Sequence, residues 1–409
     1  MRVADNKFFM ENGEICMNES NYSKFDMFFL TVMFLLGLSS CVSEAMARNC
    51  VRVLLLLTIA RCILEPEILG RLREIKSLLI GMGAFFAVMY ISAYYGGHFS
   101  ELMDASMFSL QYTALVVPAC ILLLQNRNHA RMLVYAVYAS MIVTVFYLFS
   151  LSLSGEFRPG TLLSPGVMIS TCLFAILIPA MVASAFDGEA SLQGRIFSGV
   201  CAAISLIGLI CTNTRGAWLA IFPLVFVMLL YYIPGWKKKL MMSLVCGVLT
   251  AAVLVCFPSV MSRADTIVHS NEQQSATERL MMWQSATRMG LDHPVLGVGK
   301  LNYAEHYQND YIFDDAKERT ATHAHSNFFM MLGENGFSGM LTYCAMVGVF
   351  LAWGWKRRKN VFGAMVLFST LGFVLYGVTD YTLTAYSAMR VYWLLMGICV
   401  SYVYLSEAK

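Results

Sequence analysis

The feature that most constrains this chain is a succession of apolar runs, each about long enough to cross a bilayer. A helix rises about 1.5 Å per residue, so about 20 apolar residues span a hydrocarbon core of about 30 Å. Twelve such runs can be placed, near 26–43, 50–64, 77–95, 104–124, 132–153, 166–185, 196–212, 217–234, 240–258, 337–355, 361–379 and 389–405. The run at 50–64 is short and carries Arg52 and Arg61. With 58% hydrophobic and 13% charged residues over 409 positions, the composition excludes an ordinary water-soluble or disordered protein. In lipid, backbone N–H and C=O groups must be satisfied within a segment, so the runs predict helices. The fold class is an all-α polytopic membrane protein with about twelve transmembrane helices.

Basic residues set the sidedness. One set of alternate connections carries seventeen Lys and Arg, among them Arg71, Arg73 and Lys76, Lys237 to Lys239, and Lys356 to Lys359. By the positive-inside rule these connections face the cytoplasm. Four regions follow: a cytoplasmic leader over 1–25, nine helices over 26–258, a long outer loop over 259–336, and three helices over 337–409. Leu38-Ser39-Ser40-Cys41 and Ala45-Met46-Ala47 resemble processing sites. A polar leader of 25 residues is long for a signal n-region, so an uncleaved first helix is expected. The formal net charge of +3 gives no reason to expect a nucleic-acid partner. None of the twelve cysteines falls in 259–326, so no disulfide framework or Cys-based zinc site is expected there.

The 68 residues of 259–326 interrupt a series of short connections, and loops of that length are usually functional. They hold five of the seven histidines, His269, His293, His306, His323 and His325, with six Lys/Arg against nine Asp/Glu. Such a loop is not a polybasic lipid patch, and an anion there needs a few placed arginines. A helix is predicted over 275–291, with Ser275 or Thr277 as its cap, ended by Pro294 and Gly297-Val298-Gly299. At about 100° per residue Arg279 and Trp283 share a face and Arg288 points the opposite way. Arg279, backed by Trp283, is therefore the better anion-binding candidate; Arg288 is a candidate for solvent or a carboxylate partner.

Two helix beginnings should converge on the same outer face. Asn213-Thr214-Arg215-Gly216 opens the run at 217–234, and His323-Ala324-His325-Ser326-Asn327 opens a helix over 328–332 that breaks at 333–339 before the next run. Helix N-termini favour anions, and Arg215 adds a guanidinium that grips phosphate in a bidentate fork. The same positive surroundings would keep His325 neutral near pH 7, as a general base for a sugar hydroxyl requires. Asp380, at the outer end of the run at 361–379, is positioned either to orient a histidine or to mark the interface. The bland alternatives are an interfacial Arg215 that reaches for headgroups, loop histidines with surface roles, and a metal held by His323 and His325 with Asp314, Asp315 or Glu318. The metal alternative lacks a second helix-spaced pair of ligands, and no metal site or cofactor is expected.

Three segments carry a family resemblance. They are Thr214-Arg215-Gly216-Ala217-Trp218; Glu278-Arg279-Leu280-Met281-Met282-Trp283 followed by His293-Pro294-Val295-Leu296-Gly297-Val298-Gly299; and His323-Ala324-His325-Ser326-Asn327-Phe328 running on through Gly333-Glu334-Asn335-Gly336-Phe337-Ser338-Gly339. In that order across that topology, they resemble the O-antigen ligase and polymerase superfamily. The resemblance implies a C-type glycosyltransferase-like membrane fold in the bacterial inner membrane, with one long periplasmic loop. It implies metal-independent transfer of glycan from undecaprenyl diphosphate, with lipid A–core as the acceptor for a ligase. By position, Arg215 and Arg279 resemble the family's diphosphate-binding arginines and His325 its essential histidine, with His323 beside it. Arg288, Trp283, Asn327 and Asp380 are further candidates for contact with donor or acceptor. Ser326 stands where many members have Asn directly after the histidine. A polymerase of the same superfamily is the nearest alternative, and a multi-span polysaccharide transporter or flippase the alternative of another class.

Overall fold

A computed structural model describes residues 9–11, 14–16, 24–102, 113–156, 158–164, 166–256 and 274–407. Most of the leader, the first half of the run at 104–124, and the loop stretch 257–273 with His269 lie outside the described residues. Within the leader, β1 (Phe9–Glu11) pairs antiparallel with β2 (Glu14–Cys16), a small hairpin that the all-α reading did not include. Everything else of any length is helical: α1 (Lys24–Ser39), α2 (Glu44–Leu64), α3 (Lys76–Tyr95), α4 (Val116–Leu123), α5 (Arg127–Leu153), α6 (Val167–Ala185), α7 (Leu192–Cys211), α8 (Arg215–Tyr232), α9 (Trp236–Cys256), α10 (Gln274–Asp292), α11 (Asn327–Lys356), α12 (Val361–Thr379) and α13 (Tyr386–Glu407).

Among the described residues, eight helices are long and apolar enough to cross a membrane: α3 with the 3-10 turn before it, α5, α6, α7, α8, α11, α12 and α13. The chain thus has the build of a multi-pass membrane protein. The described parts of the other four expected runs are also helical but less qualified. With 16 residues, α1 is about 24 Å long, short of the core thickness. Glu44, Arg48, Arg52 and Arg61 all lie on α2, α4 has eight described residues, and α9 opens on Lys237, Lys238 and Lys239.

Short polar residues start several helices by satisfying the first free N–H groups. Asn126 Oδ1 accepts from Asn128 N at 2.8 Å before α5, and Asn360 Oδ1 accepts from Phe362 N at 2.9 Å before α12. The centre of the bundle is α6, α12 and α13, most of whose side chains are buried; α12 packs on α6, α8, α11 and α13, and α11 on α3, α10 and α12.

The break expected over 333–339 is a kink at Gly336, whose φ of 62° lies in the left-handed region. Its cause is a second strand of backbone that replaces the helix's own hydrogen bonds. Val298 N donates to Gly333 O at 3.0 Å, Gly299 N to Glu334 O at 3.0 Å, and Phe337 N to Pro294 O at 2.8 Å. The approach leaves no room for a side chain: a Cβ on Gly297 would lie 2.4 Å from the carbonyl carbon of Glu334, and one on Gly336 would lie 2.7 Å from Gly297 N. The Gly-Val-Gly turn and the Gly-Glu-Asn-Gly stretch are two halves of one joint that ties the loop to α11.

Candidate active site

The site is assembled at the start of α8, the start of α10, the segment before α11 and the end of α12. Thr214 precedes α8 in an extended conformation, and Asn213 before it, at φ 51°, closes α7 in the left-handed form that Asn tolerates. Thr214 therefore holds the N-cap position of α8, though its side chain makes no capping bond. Arg215, the first residue of α8, donates from Nη2 to Ser275 Oγ at 2.8 Å. Ser275 lies inside the first turn of α10 and does not precede the helix as a cap.

One turn along α10 on the same face, Arg279 Nη1 donates to Thr379 O at 2.6 Å. Gly216 presses on that same Thr379, since a Cβ there would lie 2.4 Å from Thr379 Oγ1. Thus the two arginines are joined through Ser275 on α10 and through the Thr379 end of α12, at the start of one helix and the end of another. Arg288 lies elsewhere, with its guanidinium 4.3 Å over the Phe313 ring. Trp283 stacks on Phe329 of α11 with ring centroids 4.9 Å apart, making a flat apolar wall beside the arginine face.

Immediately after Thr379, Asp380 turns its carboxylate toward the histidines. His325 Nδ1 is 3.4 Å from Asp380 Oδ1, which also accepts from Tyr381 N at 2.9 Å; Asp380 Oδ2 accepts from Tyr376 OH at 2.9 Å. The His323 and His325 ring centroids are 4.3 Å apart. His325 has φ 48°, uncommon outside glycine and costing about 1–3 kcal/mol, of the kind that surrounding structure must impose. Burial disfavours the Asp380 carboxylate, but the hydrogen bond from His325, the charges of Arg279 and His325 and the bond from Tyr376 outweigh it and hold the group down to about 2. At His323, burial, then the neighbouring His325 and Arg279, lower the imidazole to about 4 against the opposing pull of Asp380. His323 is therefore neutral, and Asp380 charged, at neutral pH.

Among the described residues, His323, His325 and Asp380 are the group of ligand types, all within 4.8 Å of one another, that could hold a metal ion. The chemistry around it is unfavourable to a cation: Arg279 acts on the same carboxylate, and both carboxylate oxygens already accept hydrogen bonds from the protein. Asp314, Asp315 and Glu318, the carboxylates considered as further ligands, do not belong to this group.

Other expected residues have local tasks. The buried Asn327 amide donates to Tyr343 OH at 3.1 Å and to Thr382 Oγ1 at 2.8 Å, and accepts from Thr382 N at 2.8 Å, fastening α11 to the turn after Asp380. His306 pairs with Asp310 at 2.8 Å. The sequence reading did not single out Glu278, whose carboxylate accepts from Lys317 N and Glu318 N at 3.1 and 3.0 Å and pins the loop to α10. Nor did it find Tyr376 and Tyr381. Both lie within four positions of Asp380, so an acidic residue at a helix end with flanking tyrosines was the available signal.

Residues 200–344 match the family described as O-Antigen ligase. The match covers just over a third of the chain, from the middle of α7 to the middle of α11. It includes Arg215, Arg279, Trp283, Arg288, His323, His325 and Asn327, and stops short of Asp380. No curated protein matches the chain.

Proposed function

We propose that this chain is an O-antigen ligase, a reading supported by the match of residues 200–344 to the family described as O-Antigen ligase. It transfers O-polysaccharide from undecaprenyl diphosphate to a sugar hydroxyl of lipid A–core, on the periplasmic side of the bacterial inner membrane. The four less qualified helices complete a twelve-span, C-type glycosyltransferase-like arrangement in this reading. The observation that supports it most is the shared Thr379–Asp380 corner, where Arg279 from α10 and Gly216 beside Arg215 meet Thr379, and the next residue carries the carboxylate that faces His325.

The chemistry follows from these contacts. Arg215 and Arg279 bind the diphosphate and neutralise charge as it leaves, which guanidinium forks do well in a site of lowered dielectric. Asp380 accepts at His325 Nδ1, fixing the tautomer that leaves Nε2 free, and it stabilises the imidazolium that forms. His325 Nε2 takes the proton of the acceptor hydroxyl as its oxygen forms the new bond to the anomeric carbon. The bond from that carbon to the diphosphate breaks, and undecaprenyl diphosphate departs with the bonding pair. Attack opposite the leaving group inverts the anomeric centre. The activated sugar–diphosphate bond supplies the driving force, so neither nucleotide nor metal is required.

The test is transfer by purified protein in detergent, from carrier-linked polysaccharide to lipid A–core, without ATP. His325→Ala should abolish transfer while the protein remains monodisperse. A wild-type protein that joins repeat units to a growing glycan, and leaves core unmodified, would be a polymerase. One that moves carrier-linked glycan across vesicles without forming any bond would be a transporter.

A further inference from the structure

Behind the histidines lies a buried ion pair that the reaction above does not use. Lys300 Nζ bonds to Glu334 Oε2, and the two side chains are 5% and 2% exposed. Removing two such ions from water costs several kcal/mol each, and an apolar pair of the same volume often serves packing as well or better. A tie between loop and helix alone therefore gives no reason for these charges.

Their remaining partners do. Leu301 N donates to Glu334 Oε1 at 3.0 Å, and Lys300 Nζ donates to Tyr381 OH at 3.0 Å. Leu301 sits at φ 79°, a strained conformation for a bulky residue, and this turn lets successive residues present an ammonium and an N–H to one carboxylate. Ser92 on α3 steadies the joint from behind: its Oγ donates to Glu334 O at 3.0 Å and accepts from Lys300 N at 3.0 Å. At the far end, Tyr381 donates its backbone N–H to Asp380 Oδ1, and its ring centroid is 6.0 Å from that of His323. A continuous chain of polar contacts thus runs from the α11 kink through Glu334, Lys300, Tyr381 and Asp380 to His325.

We propose that Lys300, Glu334 and Tyr381 are positioning residues for the transfer reaction, holding Tyr381, and through its N–H Asp380, where the carboxylate engages His325 Nδ1. The geometry rests on the reading of His325 and Asp380 as base and orienting carboxylate. Besides each other, the titratable groups that act on Asp380 and His323 are His325, Arg279 on α10 and, for Asp380, Tyr376 on α12, none of which the substitutions below remove.

The decisive variant is Tyr381→Phe, which keeps the ring, the backbone N–H and the Lys300–Glu334 pair and removes only the hydroxyl that ties them together. Histidine 15N shifts in labelled protein, recorded without substrate, report which ring nitrogen of His325 carries the proton, with Asp380→Asn as the reference for a released imidazole. In folded Tyr381→Phe the Nδ1–H tautomer should give way partly to Nε2–H, and kcat should fall roughly tenfold with the donor KM unchanged. Lys300→Met combined with Glu334→Leu, which leaves no orphaned charge, should do the same. Wild-type tautomer and kcat within twofold of wild type, in both folded variants, would overturn the proposal. If the tautomer moves as expected but the wild-type protein transfers no glycan, the positioning stands and the ligase reading fails.

Discussion

Asp380 Oδ1 lies 3.4 Å from His325 Nδ1 although 55 positions separate the two residues, and the same carboxylate also takes hydrogen bonds from Tyr376 and Tyr381. A carboxylate fixed on three sides cannot swing away from the imidazole it faces. Asp380→Asn keeps the shape and removes the charge, so kcat should drop by about 10²-fold or more, while diphosphate binding changes little. Single-turnover transfer measured beside donor binding separates the two effects; a kcat within threefold of wild type would show that the carboxylate is dispensable.

Arg279 and Arg215 reach the corner from different helices, and each makes a directed contact, to Thr379 O and to Ser275 Oγ. Lysine retains the charge but cannot bridge two oxygens in a planar fork. Arg279→Lys and Arg215→Lys should each cost about 10- to 100-fold in kcat/KM, the worth of a charge-assisted hydrogen bond. Arg288→Lys, on the opposite face and stacked on Phe313, should cost less than either, as donor-dependent kinetics will show.

The site should also make the protein acid-sensitive in two windows. His323 is lowered from 6.5 to about 4, so the unfolded chain binds the proton more readily; its contribution to stability is full above pH 6.5 and is lost as pH falls to 4. Asp380 is lowered from 3.8 to about 2, so its contribution is full above pH 3.8 and is lost as pH falls toward 2. Thermal unfolding in detergent should show stability falling through both windows, and His323→Gln should flatten the upper one. An unchanged slope between pH 6.5 and 4 in that variant would contradict the assignment.

Gly297→Ala should unfold the joint between loop and helix. The new methyl carbon would meet Glu334 C and Gly333 O at 2.4 Å and Asn335 N at 2.6 Å, on a residue already at φ 65°. Backbone atoms cannot move aside as a side-chain tip can, so the cost should be about 3 kcal/mol or more. Limited proteolysis of the 293–326 segment is the measurement, and wild-type resistance would refute the close packing. Gly247→Ala, where a Cβ meets nothing within 4 Å, is the control.

Much of this architecture was legible in the residues because hydrophobic runs, capping residues and glycines act locally. The apolar stretches gave the helices, and Arg279, Trp283 and Arg288 fell on the faces that a 3.6-residue period assigns them. Pairings between distant segments left no such local trace. Nothing in the spacing of Gly216 and Thr379, or of Lys300, Glu334 and Tyr381, says that they touch. For Asp380 the residues left two readings open, a carboxylate that orients a histidine or a marker of the interface, because its effect depends on which imidazole the packing of α11 against α12 brings to it.

The sequence by itself determined that this chain is a set of apolar helices with a polar, histidine-rich excursion, since burying that much hydrocarbon surface allows little else. Only the tertiary structure decided which cation faces which carboxylate and which histidine is held in a left-handed turn. Those outcomes depend on contacts between segments far apart in the chain, whose energies are set by distance and burial.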